Sequence, residues 1–293
     1  MEYGLLFGAI LCFSLQSLCM KQYDIQPAGN EKAALWAPCL YGLFRGGLCL
    51  LANRLRFSIT WNSAVCGIWY AALTVICYVS FLAALRQGKV AVVTVFMLLG
   101  GMILPALYGV IGLGERVSGK GWIAIGVMLC AMLPSRDAAG KTRHRAGFWI
   151  LCVLIFLSNG LISVVTKYHQ VMAGASSENE FLIFSSGMTC LFSAMTLWIP
   201  RRRARGGALD SLRGIPLAAM GMLLGYALLN AGGNLFSLRA ARNLPSSVQF
   251  PVLSAGVIVL TAVASAVVFR EPITRTEGRQ IGFAIAGIVL FMI

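Results

Sequence analysis

The segment 70–86, YAALTVICYVSFLAALR, returns 156 residues later as the segment 226–242, YALLNAGGNLFSLRAAR. The match continues without a gap for 57 positions, of which 13 are identical. Matches between apolar residues mean little in so apolar a chain. The paired tyrosines, arginines, glutamates and glycines are more informative, because these types are scarce or specifically placed here. The sequence therefore predicts two related halves.

The composition predicts a membrane protein. Of the 293 residues, 58% are hydrophobic and 12% are charged, whereas an ordinary soluble domain is about 45–50% apolar and about 25% charged. The net charge of +14 is of a size that often indicates a nucleic-acid partner. Here those charges would lie on a mostly apolar surface. We therefore expect a lipid bilayer as the surroundings and no nucleic-acid partner.

Ten stretches have the length of a membrane-spanning helix, which needs about 20 mainly apolar residues. They leave no room for a separate soluble domain, and the first lacks the basic flank and cleavage site of a signal peptide. The predicted spans are Tyr3–Met20, Ala34–Ala52, Ala64–Leu85, Val90–Leu113, Gly121–Leu133, Gly147–Val165, Phe181–Ile199, Ile215–Leu238, Val248–Phe269 and Gly278–Ile293.

The repeat divides these spans into two sets of five. Residues 1–134 form the first predicted repeat, 135–146 a basic linker, and 147–293 the second repeat. Five is an odd number, so the second set must enter the membrane from the opposite face. The predicted fold is thus all-α, with ten transmembrane helices as two inverted repeats. Such repeats are typical of alternating-access carriers that bind their solute near the midplane.

The charged residues predict an orientation. All ten acids lie in loops or at helix ends, and Arg45 is the one basic residue placed deep inside a span. The loops after helices 1, 3, 5, 7 and 9 hold 16 basic residues, and the loops on the other side hold 7. Basic loops stay in the cytoplasm. The count therefore predicts that both termini lie outside.

Cysteine and histidine give no sign of a metal, a cofactor or a catalytic centre. The nine cysteines lie in or near apolar spans without a C-x-x-C spacing, which is typical of small buried hydrophobes. Neither His144 nor His169 has a metal-ligand partner at the usual spacing. We therefore expect that the protein is not an enzyme and has no cofactor. An integral-membrane enzyme and a non-transporting membrane scaffold remain as alternatives.

A pair of motifs resembles a known family. Gly-Glu-Arg-Val-Ser at 114–118 has a glycine eleven residues after its glutamate, and Arg-Glu-Pro-Ile-Thr at 270–274 repeats that spacing. Together with Phe44-Arg45 in helix 2, these motifs resemble the EamA-type, ten-helix branch of the drug/metabolite transporter superfamily. The resemblance implies small-molecule transport, commonly the export of a metabolite or an amino acid. We expect a multi-pass protein of the cell (inner) membrane that is either a monomer or a homodimer.

The resemblance also implies features that this sequence lacks. It implies cytoplasmic termini, the reverse of the charge count. Small multidrug-resistance relatives carry an intramembrane glutamate in helix 1 that exchanges protons for drug, whereas this chain has Gln16. We therefore do not expect proton coupling through a buried acid.

The eighth span has a polar face that predicts a substrate cavity. Tyr226, Asn230 and Asn234 follow one another at intervals of four residues and share a helix face. Tyr78 is the repeat equivalent of Asn234 in the third span. Carboxamides both donate and accept hydrogen bonds, which suits a small polar, neutral or zwitterionic solute. Hydrogen bonding between helices is the alternative.

Three further residues are candidate substrate contacts inside the spans. Gln16 and Asn159 are repeat equivalents, and either a cavity or a helix–helix contact would explain them. Gln249 lies near the start of the ninth span. Each is costly to bury without a partner.

Each charged candidate residue has two possible roles. Arg45 can bind a substrate carboxylate through its planar fork, or it can snorkel or bind helix-end carbonyls. Glu115 and Glu271 lie at helix ends beside arginines. We expect them to close loops, with gate salt bridges as the alternative.

Overall fold

Within the part of the chain that the structure describes, every regular element is an α-helix and no strand occurs. The computed structural model describes residues 2–25, 31–85, 87, 90–131, 146–201, 217–269 and 275–292. The ten helices of these ranges are α1 Glu2–Ile25, α2 Glu31–Ala52, α3 Trp61–Leu85, α4 Val90–Gly112, α5 Gly119–Ala131, α6 Ala146–Val171, α7 Glu178–Arg201, α8 Leu217–Asn243, α9 Ser246–Phe269 and α10 Arg275–Met292. The predicted all-α fold is confirmed, and the linker 135–146 lies almost wholly outside the described residues.

Five of these helices are long and apolar enough to cross a membrane, which is consistent with a membrane protein. Three others contain shorter apolar stretches, at Pro38–Ala52, Gly119–Cys130 and Ile281–Leu290. The five long stretches are Glu2–Cys19, Trp61–Ala84, Val93–Gly112, Gly147–Val171 and Ser246–Val268. The number of ten spans stays a prediction.

The distribution of polarity is the reverse of that in a soluble protein. Large apolar side chains such as Phe7, Trp69 and Ile111 are exposed, while Arg45 and Gln249 are fully buried. Exposed apolar surface on this scale needs a non-aqueous covering. A lipid bilayer provides such a covering. Helices are stable in lipid because their backbone hydrogen bonds are formed within the helix.

The helices pack in related pairs. Helix α1 packs against α8 and α9, and α6 packs against α3 and α4. Helix α2 packs against α8, and α7 packs against α3. Helices α2 and α7, α4 and α9, and α5 and α10 pair with each other. Exchanging each helix for the one five places away leaves these pairs unchanged. Several contacts depart from the pattern. The most extensive is between α9 and α10, and α8 also packs against α6 and α7, and α5 against α9.

Helix α6 continues beyond the predicted span end at Val165 as far as Val171. The sequence places Lys167 in the following loop, but the structure buries it on α6. Its ammonium Nζ donates to the carbonyls of Ala241 and Leu244, at 2.7 Å each. Ala241 lies in the last turn of α8 and Leu244 directly follows that helix. The unpaired C=O groups and the helix dipole at a helix C-terminus favour a cation. The predicted placement of Lys167 in a loop is therefore wrong.

Candidate polar site between the halves

The fully buried guanidinium of Arg45 joins four helices. From α2, its Nε donates to Ser186 Oγ of α7 at 2.7 Å. Its Nη1 donates to Asn230 Oδ1 of α8 at 3.1 Å and to Tyr70 Oη of α3 at 3.3 Å. Arg45 is fully buried, and none of its described hydrogen bonds goes to a helix-end carbonyl. It bonds to side chains that come from both halves of the chain.

The carboxamides of α8 extend this network to α1. Asn230 Nδ2 donates to Gln16 Oε1 at 3.1 Å. Asn234 Nδ2 donates to Asn230 Oδ1 at 3.0 Å, and Tyr70 Oη donates to Asn234 Oδ1 at 3.4 Å. We call these residues the Arg45 cluster, which consists of Gln16, Arg45, Tyr70, Ser186, Asn230 and Asn234.

Aromatic rings lie beside the cluster. Arg45 Cζ is 5.2 Å from the ring centroid of Tyr41 and 5.6 Å from that of Tyr70. The ring of Tyr226 meets that of Tyr41 edge to face, with 5.7 Å between centroids. Aromatic faces attract cations, so these rings partly compensate the buried charge. The predicted site residue Tyr226 therefore lies next to the cluster.

Glycines in α2 bring Arg45 against α7. A Cβ atom at Gly42 would lie 3.0 Å from the backbone oxygen of Ser186, and one at Gly46 would lie 3.2 Å from Ser186 Cβ. Small residues allow membrane helices to approach closely. Arg45 directly precedes Gly46. The close approach of α2 and α7 at this point brings its Nε within hydrogen-bond distance of Ser186 Oγ.

One nitrogen of the guanidinium has no hydrogen-bond acceptor. Arg45 Nη2 is buried and unpartnered. Buried polar atoms are rarely left without a partner in folded proteins. A charged donor of this kind marks a place that can bind an acceptor.

Two predicted site residues bind elsewhere in the bundle. Asn159 Nδ2 donates to the backbone oxygen of Met97 at 2.7 Å, which joins α6 to α4. Gln249 Nε2 donates to the backbone oxygen of Ser237 at 2.8 Å, which joins α9 to α8. Neither has a described hydrogen bond to the Arg45 cluster. Both therefore make helix–helix contacts, which for Asn159 was the alternative to a cavity. Tyr78 is half-buried on α3, two turns beyond Tyr70.

Glu115 makes a loop contact. Its carboxylate accepts hydrogen bonds from the backbone N–H groups of Ser246 at 2.7 Å and Ser247 at 3.0 Å. These are the first two residues of α9, where the N–H groups lack partners within the helix. Glu115 therefore caps α9 from the loop after α4. Its repeat equivalent Glu271 lies outside the described residues.

Removing this cap should destabilise the protein. Glu115→Ala deprives both amides and the Ser247 hydroxyl of their acceptor. We expect a loss of about 1–2 kcal/mol, the usual range for a helix N-terminal cap. Glu115→Gln keeps one acceptor oxygen and should lose less. Thermal unfolding in detergent measures both, and equal melting temperatures for all three proteins would contradict the capping role.

Sequence reasoning missed Ser186, which belongs to the Arg45 cluster, and Tyr41, which lies beside it. Ser186 accepts the shortest hydrogen bond of Arg45, yet it is one of several serines in α7 and nothing in its spacing sets it apart. Tyr41 places its ring beside the guanidinium. Its position four residues before Arg45 on α2 puts both on one helix face, and this spacing could have indicated it.

The comparisons with known proteins identify the fold but no function. A solved structure described only as "Crystal structure of protein" matches with a TM-score of 0.71. The match covers 99% of this chain and 96% of that chain at 16% sequence identity. At this identity the likeness concerns the fold alone. No family model and no curated protein matches the chain.

Proposed function

We propose that the protein is an integral membrane carrier that exports a small polar metabolite across the cell (inner) membrane by alternating access. Its ten helices would all span the bilayer as two inverted repeats of the EamA type. The solute would bind at the Arg45 cluster. The sequence match at an offset of 156 residues and the paired packing of helices five places apart support this architecture.

The main support for a carrier is the position of the Arg45 cluster. Its polar side chains come from α1, α2 and α3 of the first half and from α7 and α8 of the second. Carriers with inverted repeats bind their solute where the two repeats meet. Amide, hydroxyl and guanidinium groups there offer hydrogen bonds that the apolar exterior does not.

Reconstitution into liposomes tests the proposal. Vesicles containing the purified protein should show saturable uptake or release of at least one member of a labelled metabolite and amino-acid panel. Protein-free vesicles should not. The same assay with and without a proton gradient measures coupling. A scaffold without transport activity would move nothing and would gain no thermal stability from any solute, and this pair of results would overturn the proposal.

A cysteine pair provides a test of alternating access. The sulfurs of Cys39 on α2 and Cys190 on α7 lie 3.3 Å apart, and both residues are free thiols. A disulfide needs a bond of about 2.05 Å, which a small shift can reach. Copper phenanthroline should therefore join the two halves and stop transport, and dithiothreitol should restore it.

The single variants Cys39→Ser and Cys190→Ser are the controls for this cross-link. Each should keep transporting after oxidation, because the partner thiol is absent. Full transport by protein whose Cys39–Cys190 disulfide is confirmed by mass spectrometry would show that α2 and α7 do not move relative to each other during the cycle.

A further inference from the structure

The charge of Arg45 has no counter-ion among the acids whose side chains the structure describes. Glu115 caps α9, Glu178 pairs with Arg242 at 2.9 Å, and Glu180 binds Ser58 in the loop before α3. The fourth such acid, at position 2, contacts Asn243 at the end of α8. A buried cation without an ionic partner is costly in a low-dielectric interior.

The side chains that accept hydrogen bonds from Arg45 also have other hydrogen-bond partners. Ser186 Oγ also donates to the backbone oxygen of Leu182, and Asn230 Oδ1 also accepts from Asn234. Tyr70 Oη also donates to Asn234 Oδ1. Each hydrogen-bond partner of Arg45 thus keeps another bond without it. The guanidinium adds a buried charge and an unpartnered donor, Nη2. None of its partners relies on it for its only hydrogen bond.

Such a group is retained at a cost in stability, as expected of a binding group. We propose that the transported solute carries a carboxylate and that Arg45 Nη2 binds it. This inference rests on the proposed function and names its substrate class. The Nε and Nη1 hydrogens already bind protein acceptors, so the N–H groups of Nη2 are the ones left to donate to a carboxylate. The amides of Gln16, Asn230 and Asn234 then bind the neutral polar groups of the same solute.

The charge balance selects a monoanion. Apart from Arg45, the cluster consists of amides and hydroxyls, so one negative charge on the solute neutralises it. A dianionic phosphate would leave an uncompensated negative charge in the apolar bundle, and a cation would be repelled. A carboxylate with one charge fits the site best.

Pairs of acids and their amides test the inference because they differ mainly in charge. The probes are lactate and lactamide, benzoate and benzamide, and the acid–amide pairs of longer chains. The wild-type protein should gain thermal stability from the acids and transport them, with about a 10- to 100-fold preference over the amides, as expected for one charged hydrogen-bonding pair. Chloride and phosphate at the same concentration serve as inorganic anion arms.

Three variants separate a binding arginine from a structural one. Arg45→Met should lose the preference for acids while melting at the same or a higher temperature than wild type. Arg45→Lys keeps the charge without the planar fork and should retain part of the preference. Arg239→Met makes the same change at an exposed position of α8 and should change neither property.

The outcomes distinguish this inference from the proposed function. Transport of amides and acids at equal rates, or an Arg45→Met variant that melts lower and still prefers acids, would overturn carboxylate binding and leave the carrier intact. Stabilisation by acids without any flux would overturn the carrier and support the binding site. Stabilisation by phosphate or chloride equal to that by the acids would show a general anion site and overturn the carboxylate assignment.

Discussion

Liposomes containing the Asn230→Ala variant should transport solute at least about tenfold more slowly than wild type, or bind it at least about tenfold more weakly. The expectation follows from the contacts of this one side chain. Asn230 Oδ1 accepts from Arg45 and Asn234, and its Nδ2 donates to Gln16. Truncation removes all three hydrogen bonds and leaves the guanidinium free to turn, so the cluster loses its geometry.

The matched control is Asn243→Ala, the same substitution on the same helix. Asn243 lies exposed at the end of α8 and donates to Glu2 at 3.2 Å. Flux and solute-dependent thermal stability should remain at the wild-type level in this control. Both variants should elute as folded protein in size-exclusion chromatography. An Asn230→Ala protein with unchanged affinity and flux would exclude the Arg45 cluster as the binding site.

The Gly100→Ala variant should be severely destabilised. Helices α4 and α6 cross at Gly100, and a Cβ atom there would overlap the backbone oxygen and carbon of Phe156. Backbone atoms on both helices cannot turn aside as a flexible side chain can. Overpacking usually costs about 1–3 kcal/mol and sometimes more, and we expect the upper end of this range. The separation of the helices should also disturb the hydrogen bond of Asn159 to Met97.

The repeat itself supplies the control, because Gly256 is the equivalent of Gly100. A Cβ atom at Gly256 would lie 2.6 Å from Cδ1 of Ile10, the far end of a flexible side chain. Gly256→Ala should therefore cost much less. Thermal unfolding in the same detergent, together with the yield of monodisperse protein, measures the difference. Equal melting temperatures for the two variants would contradict the close crossing of α4 and α6.

The positions of the helices could be predicted from the sequence to within a few residues. The observed starts of α4 at Val90 and of α6 at Ala146 agree with predicted spans that begin at Val90 and Gly147. Hydropathy succeeds here because it depends on local composition. The hydropathy pattern placed Lys167 outside the span, because a charged residue lowers the local hydropathy as the end of a span does. The carbonyls that bind this lysine, at the C-terminal end of α8, are more than 70 residues away along the chain.

The amino-acid sequence was enough to predict an apolar, all-helical chain with a repeat, and it indicated which polar residues would be costly to bury. Which of these polar residues contact each other became clear from the packing of the helices. Gln16 and Asn159 are equivalent in the repeat, yet Gln16 bonds to Asn230 in the Arg45 cluster while Asn159 bonds to the backbone of α4. The partner of a buried polar group depends on which side chain the packing of the helices brings within about 3 Å. The residues that meet can be as far apart in sequence as positions 16 and 230. A local sequence pattern cannot predict a contact over such a separation.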